Sequence, residues 1–438
     1  MTVEQAPIRD GPRNDSQAIG SGLRILLTDT KRWAVGPRIG MAFAAMGCEV
    51  GMLCPRKGHP AHAVKAIRRR YSYRGADMVG SLREAIEDFD PHLVLPVCDR
   101  AVSHLHRLYQ ASRQRNQRRI LGCIEGSLGP ARSFPIVTSR YDLLMLAREL
   151  GIAIPDTVAL KNEEDLRAAG RLGLPLVIKA DGTWGGTGVK IAQSQSQALR
   201  AMQDLSARNR LPWLIKELAL NRDRGTTFDD WRNIRRPQIA QKWIEGHPAN
   251  CAAACADGKI LAGVAVEVLA TNGEHGPATL VEVVPGREML KAAERIVNRL
   301  GLSGFVGLDF MIDRESGVPY LIEMNPRCTQ AATLLLGKGR NLPAAMCAHL
   351  AGVPEPETAP VTNWKRIAYF PKPDASSDPD ASLPAESYYY DLPANEPAFV
   401  EQMLHPWRDR GRLGRCLDHA RDFAARMRTH SFHFSTHG

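Results

Sequence analysis

Two alternating segments late in the chain, SGFVGLDFMID (303–313) and GVPYLIEMN (317–325), flank the turn-forming stretch RESGVP. Side chains of a strand point alternately to opposite faces, so Gly307, Asp309 and Met311 share one face of the first segment. In the second, Leu321, Glu323 and Asn325 share a face while Ile322 and Met324 take the other. In a hairpin centred near Ser316, Asp309 lies seven residues before the turn and Glu323 seven after it, which sets the two carboxylates opposite each other. Asn325 joins them, and Pro326 and Arg327 follow at once. Three oxygen donors with no His or Cys among them suit magnesium better than zinc. The competing reading is a polar strand face turned to solvent.

A second informative stretch is LPLVIKADGTWGGTGVKIAQS (174–194), in which Gly182, Gly185, Gly186 and Gly188 separate two apolar strands. Glycine lets backbone N–H groups converge on an anion without interference from a Cβ. The loop joins strand to strand and lacks GxxxxGK[ST], so it is not a Walker-type phosphate loop. Lys179, just before it, places a point charge within reach of phosphates. Such a hairpin is also compatible with a plain mobile turn.

The N-terminal part alternates strand and helix: LRILLTDT (23–30), VGPRIGMAFAAMG (35–47), EVGMLCP (49–55), SLREAIEDFD (81–90) and HLVLPV (92–97). That rhythm predicts an open parallel sheet. It carries no GxGxxG and no acid at the end of its second strand, which argues against a dinucleotide fold. Further on, TSRYDLLMLARELGIAIPDTVAL (138–160) reads as a helix with Ser139 near its start, Gly151 at its end and Pro155 beyond. A long helix is expected over 287–301, and the Pro-, Asp- and Ser-rich stretch 354–384 reads as a boundary or an extended wrapping arm.

Composition narrows the class. The 438 residues carry 57 basic and 47 acidic side chains, a formal net charge of +10, which favours anionic ligands in general. The runs RRR (68–70) and RQRNQRR (113–119) lack interleaved aromatics and read as solvated helix faces, so nucleic acid is not expected as a partner. Nine cysteines without a CxxC pair do not make a disulfide framework, and CAAAC (251–255) reads as a buried strand. No apolar run reaches the length of a membrane span, and the polar N-terminus has no signal-peptide core, so a cytoplasmic protein is expected.

Taken in order, Lys179, the glycine hairpin KADGTWGGTG, Asp309, Glu323, Asn325 and Arg327 resemble the ATP-grasp superfamily. The nearest resemblance is to carboxylate–amine ligases related to biotin carboxylase and the carbamoyl-phosphate synthase large chain, over residues 22–353. The resemblance implies an α/β ATP-grasp fold: a flexible tail (1–22), a parallel-sheet pre-ATP-grasp domain (23–128), a linker helix and small α+β lid (129–245), a larger C-lobe with the metal site (246–353), and a C-terminal arm and extension (354–438). It implies ATP with one or two Mg²⁺, Mn²⁺ being able to substitute, and small-molecule carboxylate and amine substrates joined through an acyl phosphate. Lys179, Gly182, Gly185, Gly186 and Gly188 would cover the phosphates. The segment AQKWIEG (240–246) would meet adenine through Gln241, Lys242, Trp243 and Ile244. Asp309, Glu323 and Asn325 would hold the metal, and Arg327, with Lys179 the expected catalytic group, would hold the phosphorylated carboxylate.

Two positions depart from the family pattern. Arg140 stands where a nucleotide-binding lysine is usual, and after Gly246 only Asn250 is offered where a ribose-binding acid is expected. The stretch 218–237 looks like an enlarged lid insertion. Without an internal repeat the chain does not look like a complete carbamoyl-phosphate synthase large chain, and no biotin-attachment segment is present. A biotin-carboxylase-like enzyme using carboxyphosphate and a nucleotide-binding regulator without turnover remain the alternatives. Dimeric relatives leave a homodimer open.

Overall fold

A computed structural model describes residues 19–56, 58–74, 77–181, 188–206, 237–273, 276–371 and 387–405. Gly182, Gly185, Gly186, residues 218–236 of the expected insertion and residues 1–18 of the expected tail lie outside the described residues.

The first unit is β1 (Arg24–Thr28), α1 (Val35–Ala45), β2 (Glu49–Cys54), β3 (Arg69–Ser72), α2 (Met78–Phe89), β4 (Leu93–Pro96), α3 (Asp99–Gln114) and α4 (Arg118–Leu128). Its four strands run parallel in the order β3-β2-β1-β4, as the strand–helix rhythm anticipates. β1, β2 and β4 are nearly continuous apolar runs because helices cover both faces, and past the first residues of β1 and β2 every residue along them is buried. The run at 68–70 corrects one expectation. Its arginines are exposed, but they lie at the start of edge strand β3 and not on a helix; charge on an edge discourages pairing with another chain.

α5 (Phe134–Thr138) and α6 (Arg140–Glu149) lead into the second unit. Ser139 caps α6, its side chain accepting from the Asp142 N–H, and Gly151 at φ +69° turns the chain out of the helix. The second unit comprises β5 (Thr157–Leu160), α7 (Glu163–Ala169), β6 (Leu176–Ala180), β7 (Val189–Ala192), α8 (Gln195–Leu205) and β8 (Gln238–Lys242), with antiparallel strands in the order β5-β8-β6-β7.

The third unit is built from β9 (Gly246–Ala256), β10 (Lys259–Thr271), β11 (Ala278–Val284), α9 (Arg287–Leu300), β12 (Gly304–Asp313), β13 (Pro319–Asn325) and α10 (Leu342–Ala351). Among the described residues its sheet has seven strands, β13-β12-β9-β10-β11-β14-β15, the last two being Arg366–Tyr369 and Tyr389–Asp391. The alanines and cysteines of β9 explain themselves here. Ala252 and Ala254 enter the core shared with α1 and α10, while Cys251, Ala253 and Cys255 enter the core beneath α6 and α9. A strand covered on both faces at close spacing admits only small side chains. Burial pushes both of its thiols up to about 12, as expected of inert packing groups.

Beyond residue 353 the described part of the chain packs on the body. β14 (Arg366–Tyr369) pairs antiparallel with β11, and β15 (Tyr389–Asp391) pairs parallel with β14, so both extend the central sheet. α11 (Pro397–Leu404) then packs back on the first unit, where Glu396 accepts from the Lys65 and Ala66 N–H groups and Asp391 pairs with Arg38 at 2.6 Å. Among the described residues no helix is long and apolar enough to cross a membrane.

Candidate active site

The hairpin forms in the anticipated register. Asp309 pairs with Glu323 and Gly307 with Asn325, and on the other side Asp309 pairs with Asn250 of β9. Asn250, Asp309 and Glu323 therefore form one row across three strands. The simple alternation of β13 does not hold throughout. A register shift follows Asp309, leaving Ile322 without a partner, so Leu321 and Met324 both enter the core beneath α6 and α9. Leu321 thus does not share a face with Glu323; the bulge turns it inward and leaves Glu323 and Asn325 on the polar side.

Every polar group around Asp309 is engaged. Asn250 Nδ2 donates to Oδ1 at 2.6 Å and Asn325 Nδ2 donates to Oδ2 at 2.9 Å. Burial, then the charge of Glu323, nevertheless pushes the Asp309 carboxyl up to about 6. The Glu323 carboxylate beside Asp309 makes the ionised form of Asp309 costlier, an environment a divalent cation relieves, so the donor set fits magnesium. No group of three or more His, Cys, Asp or Glu side chains suited to a metal occurs among the described residues; the donors here are two carboxylates and one carboxamide. Asn325 ligates only if its carboxamide oxygen exchanges Arg327, whose Nη2 donates to it at 2.8 Å, for the cation. Replacing Asn250 by Ala removes a charge-assisted bond from a buried carboxylate, and we expect it to cost about 1–3 kcal/mol, read as a lowered urea midpoint with unchanged slope at neutral pH.

Three cations surround this row. Lys179, on β6, is 6% exposed and donates to the Ile322 carbonyl at 3.4 Å. Burial lowers its pKa to about 8 against the opposing pull of Glu323. Arg140, at the start of α6, pairs with Glu323 at 2.7 Å, lies 3.8 Å from Asp181, and donates to the Ala180 carbonyl. The lysine-to-arginine departure noted in the sequence thus makes a bridge from α6 to the strands on either side. Arg327 is buried with its fork fully engaged: Nε on Asp99 at 2.8 Å, Nη2 on Asn325 and Nη1 on the Cys328 carbonyl. Burial opposes its charge, and Asp99 outweighs burial, so its pKa is raised. The guanidinium also stacks on Trp33, 5.9 Å from the ring centroid, with Lys31 on the same ring at 5.6 Å.

The remaining sequence candidates are placed as follows. Gly188 closes the base of the β6–β7 hairpin by accepting from the Ala180 N–H at 3.0 Å. Gln241 is buried in β8 and donates to Thr157 Oγ1 at 3.1 Å, whereas Lys242 is exposed. Trp243 and Ile244 connect β8 to β9, where strand pairing stops at Lys242 and resumes at Gly246. Asp99 and Trp33 are site residues that no motif marks, and Asn250 enters the site as the partner of Asp309. Asp181 had a local signal, the second residue after Lys179; Asp99 and Trp33 reach the site only through packing of the first unit on the third.

A cavity of about 150 Å³ lies beside the Arg140–Glu323 pair, between α3, α5, α6 and the end of β13. Asp99, Arg140, Asp181 and Glu323 form its polar side, and Val102, Val137, Leu143 and Leu144 part of its apolar side.

With this geometry established, similarity to known proteins is informative. Residues 140–331 match the family model described as an ATP-grasp domain. The carbamoyl phosphate synthase large chain of Caldanaerobacter subterraneus subsp. tengcongensis is 25% identical over 196 residues, covering 43% of this chain and 16% of that one. The D-alanine–D-alanine ligase of Bacillus anthracis is 25% identical over 203 residues, 43% of this chain and 57% of that one. The chain thus matches less than two thirds of the length of either relative. Among solved structures, a carboxyaminoimidazole ribonucleotide synthase from Aspergillus clavatus complexed with ATP superposes with a TM-score of 0.55 at 14% identity, over 77% of this chain and 78% of that one, a likeness of fold. Those likenesses, together with the matched segment running from Arg140 past Arg327, show that residues 140–331 of this chain are similar to ATP-grasp domains.

Proposed function

We propose that the chain is an ATP- and Mg²⁺-dependent ligase that activates a carboxylate as an acyl phosphate for attack by an amine. The observation that carries the reading is the convergence of Asp309 and Glu323, paired across one hairpin, with buried Lys179, whose ammonium reaches the backbone between them at Ile322. Burial lowers the Lys179 pKa in spite of the two carboxylates beside it, so its charge is held at a cost that an anionic ligand would offset. Magnesium on Asp309, Glu323 and Asn325 would supply charge neutralisation to phosphate oxygens. The work left to the protein is positioning and electrostatic stabilisation, the main requirement of phosphoryl transfer.

Lys179 would place its charge against the transferred phosphate. The main chain at Trp243 and Ile244, outside the strand pairing, would present its groups to the edge of adenine. Arg327 holds Asn325 and Asp99 in place, and it would meet a phosphorylated carboxylate directly only by releasing one of them. Attack of the substrate carboxylate on the γ-phosphorus would expel ADP; attack of the amine on the acyl carbon would then form the C–N bond and expel phosphate. The glycine hairpin is proposed as the cover that keeps water from the acyl phosphate.

The test is ADP release with Mg-ATP and a panel of amino acids, with mass spectrometry of the products. ADP formed only with an acid–amine pair, accompanied by their condensed product, is expected. ADP formation that depends on bicarbonate would replace the ligase by a carboxylase. Nucleotide binding without ADP would leave a regulator.

A further inference from the structure

The cavity beside Arg140 has an uneven charge balance. Three carboxylates and one guanidinium line it, so it disfavours an anion. Two of the carboxylates are committed: Asp99 to Arg327 at 2.8 Å and Glu323 to Arg140 at 2.7 Å. Asp181 is different. Its side chain is only 12% exposed, the nearest cation is Arg140 at 3.8 Å, and its Oδ1 accepts a backbone bond from Arg140 at 3.3 Å. Among the described residues its Oδ2 accepts none. Val102, Val137, Leu143 and Leu144 line the same cavity.

We infer that this cavity is an amine subsite, in which Asp181 accepts the ammonium group of a small primary amine whose apolar body packs on Val102, Val137, Leu143 and Leu144. The inference deepens the ligase reading and rests on it for the amine's role as nucleophile. Size sets the substrate class: an apolar cavity of about 150 Å³ holds a benzene ring, so about six non-hydrogen atoms fit. Burial pushes the Asp181 carboxyl up to about 6, beyond what Arg140 offsets, so the group is ionised at neutral pH yet poorly compensated. An ammonium supplies the missing partner. The acid substrate is excluded by the same charge balance and is left to the Lys179 side.

The test needs no turnover. Isobutylamine, isobutanol and isobutyrate are titrated by calorimetry into the full chain, its Asp181→Asn variant and its Ser103→Trp variant. Ser103 is an exposed residue of α3 at the cavity rim, so tryptophan there obstructs the space without disturbing the core. Circular dichroism verifies that each variant is folded. Saturable binding of isobutylamine alone is expected, weakened at least about tenfold in both variants, the loss of one charge-assisted contact or of the space itself. No saturable amine binding, equal amine affinity in either folded variant, or binding of isobutanol or isobutyrate as tight as that of the amine overturns the assignment. Mg-ATP binding in the same preparation separates the two readings. Nucleotide binding without amine binding removes the pocket alone, and amine binding without nucleotide binding removes the ligase alone.

Discussion

Replacing Glu323 by Ala is expected to lower ADP formation by at least two orders of magnitude while the protein stays folded. The side chain has three electrostatic tasks in one place. It is half of the carboxylate pair with Asp309, it binds Arg140 at 2.7 Å, and it is the largest influence holding the charge of Lys179 against burial. Losing one preorganised group of this kind typically costs about a hundredfold or more in rate. Stability should change much less. Glu323 is a quarter exposed, and Arg140 keeps the Ala180 carbonyl and Asp181, so about 1–2 kcal/mol is the expected loss. Steady-state ADP release and a urea melt on the same preparation check both halves. Unchanged kinetics would remove Glu323 from the metal shell and with it the central premise of the ligase reading.

What the sequence could reveal followed the range over which its signals act. The Asp309–Glu323 register was legible because a hairpin is closed by local turn chemistry and both strands alternate. The bulge at Ile322 was not, because the core beneath α6 and α9 decides that Leu321 and Met324 both turn inward. Helix α6 was legible from Ser139 at its start and Gly151 at its end, both local signals. β14 and β15 escaped for the opposite reason. They have four and three residues; β14 is a strand because β11 offers an edge about eighty residues earlier in the chain, and β15 because β14 then offers its own. Arg327 was legible as a charge following the hairpin, but its partners were not. Asp99 and Trp33 lie more than 200 residues upstream, and only the packing of the parallel-sheet unit brings them there.

Lys179 gives the sharpest test, because activity and stability should move in opposite directions. A lysine that served the fold would lose stability on replacement. Lys179 is 6% exposed, among the described residues its ammonium donates only to a carbonyl at 3.4 Å, and its pKa is lowered to about 8. At neutral pH its buried charge therefore opposes folding. Methionine fills nearly the same space without that charge, so Lys179→Met is expected to stabilise the chain by up to about 3 kcal/mol at pH 7. The pH dependence has a definite sign. The unfolded chain holds this proton up to about 10.5 and the folded chain only up to about 8, so the penalty is full below pH 8 and disappears as pH rises to 10.5. Wild type and variant should converge over that interval in urea melts. ATP turnover, in contrast, should fall at least about a hundredfold in the variant, and in wild type its alkaline limb should follow loss of the same proton near pH 8. A charge kept at a cost to the fold and required by the phosphates is the signature of a functional site. A destabilised Lys179→Met variant that still hydrolyses ATP would make this lysine a structural group.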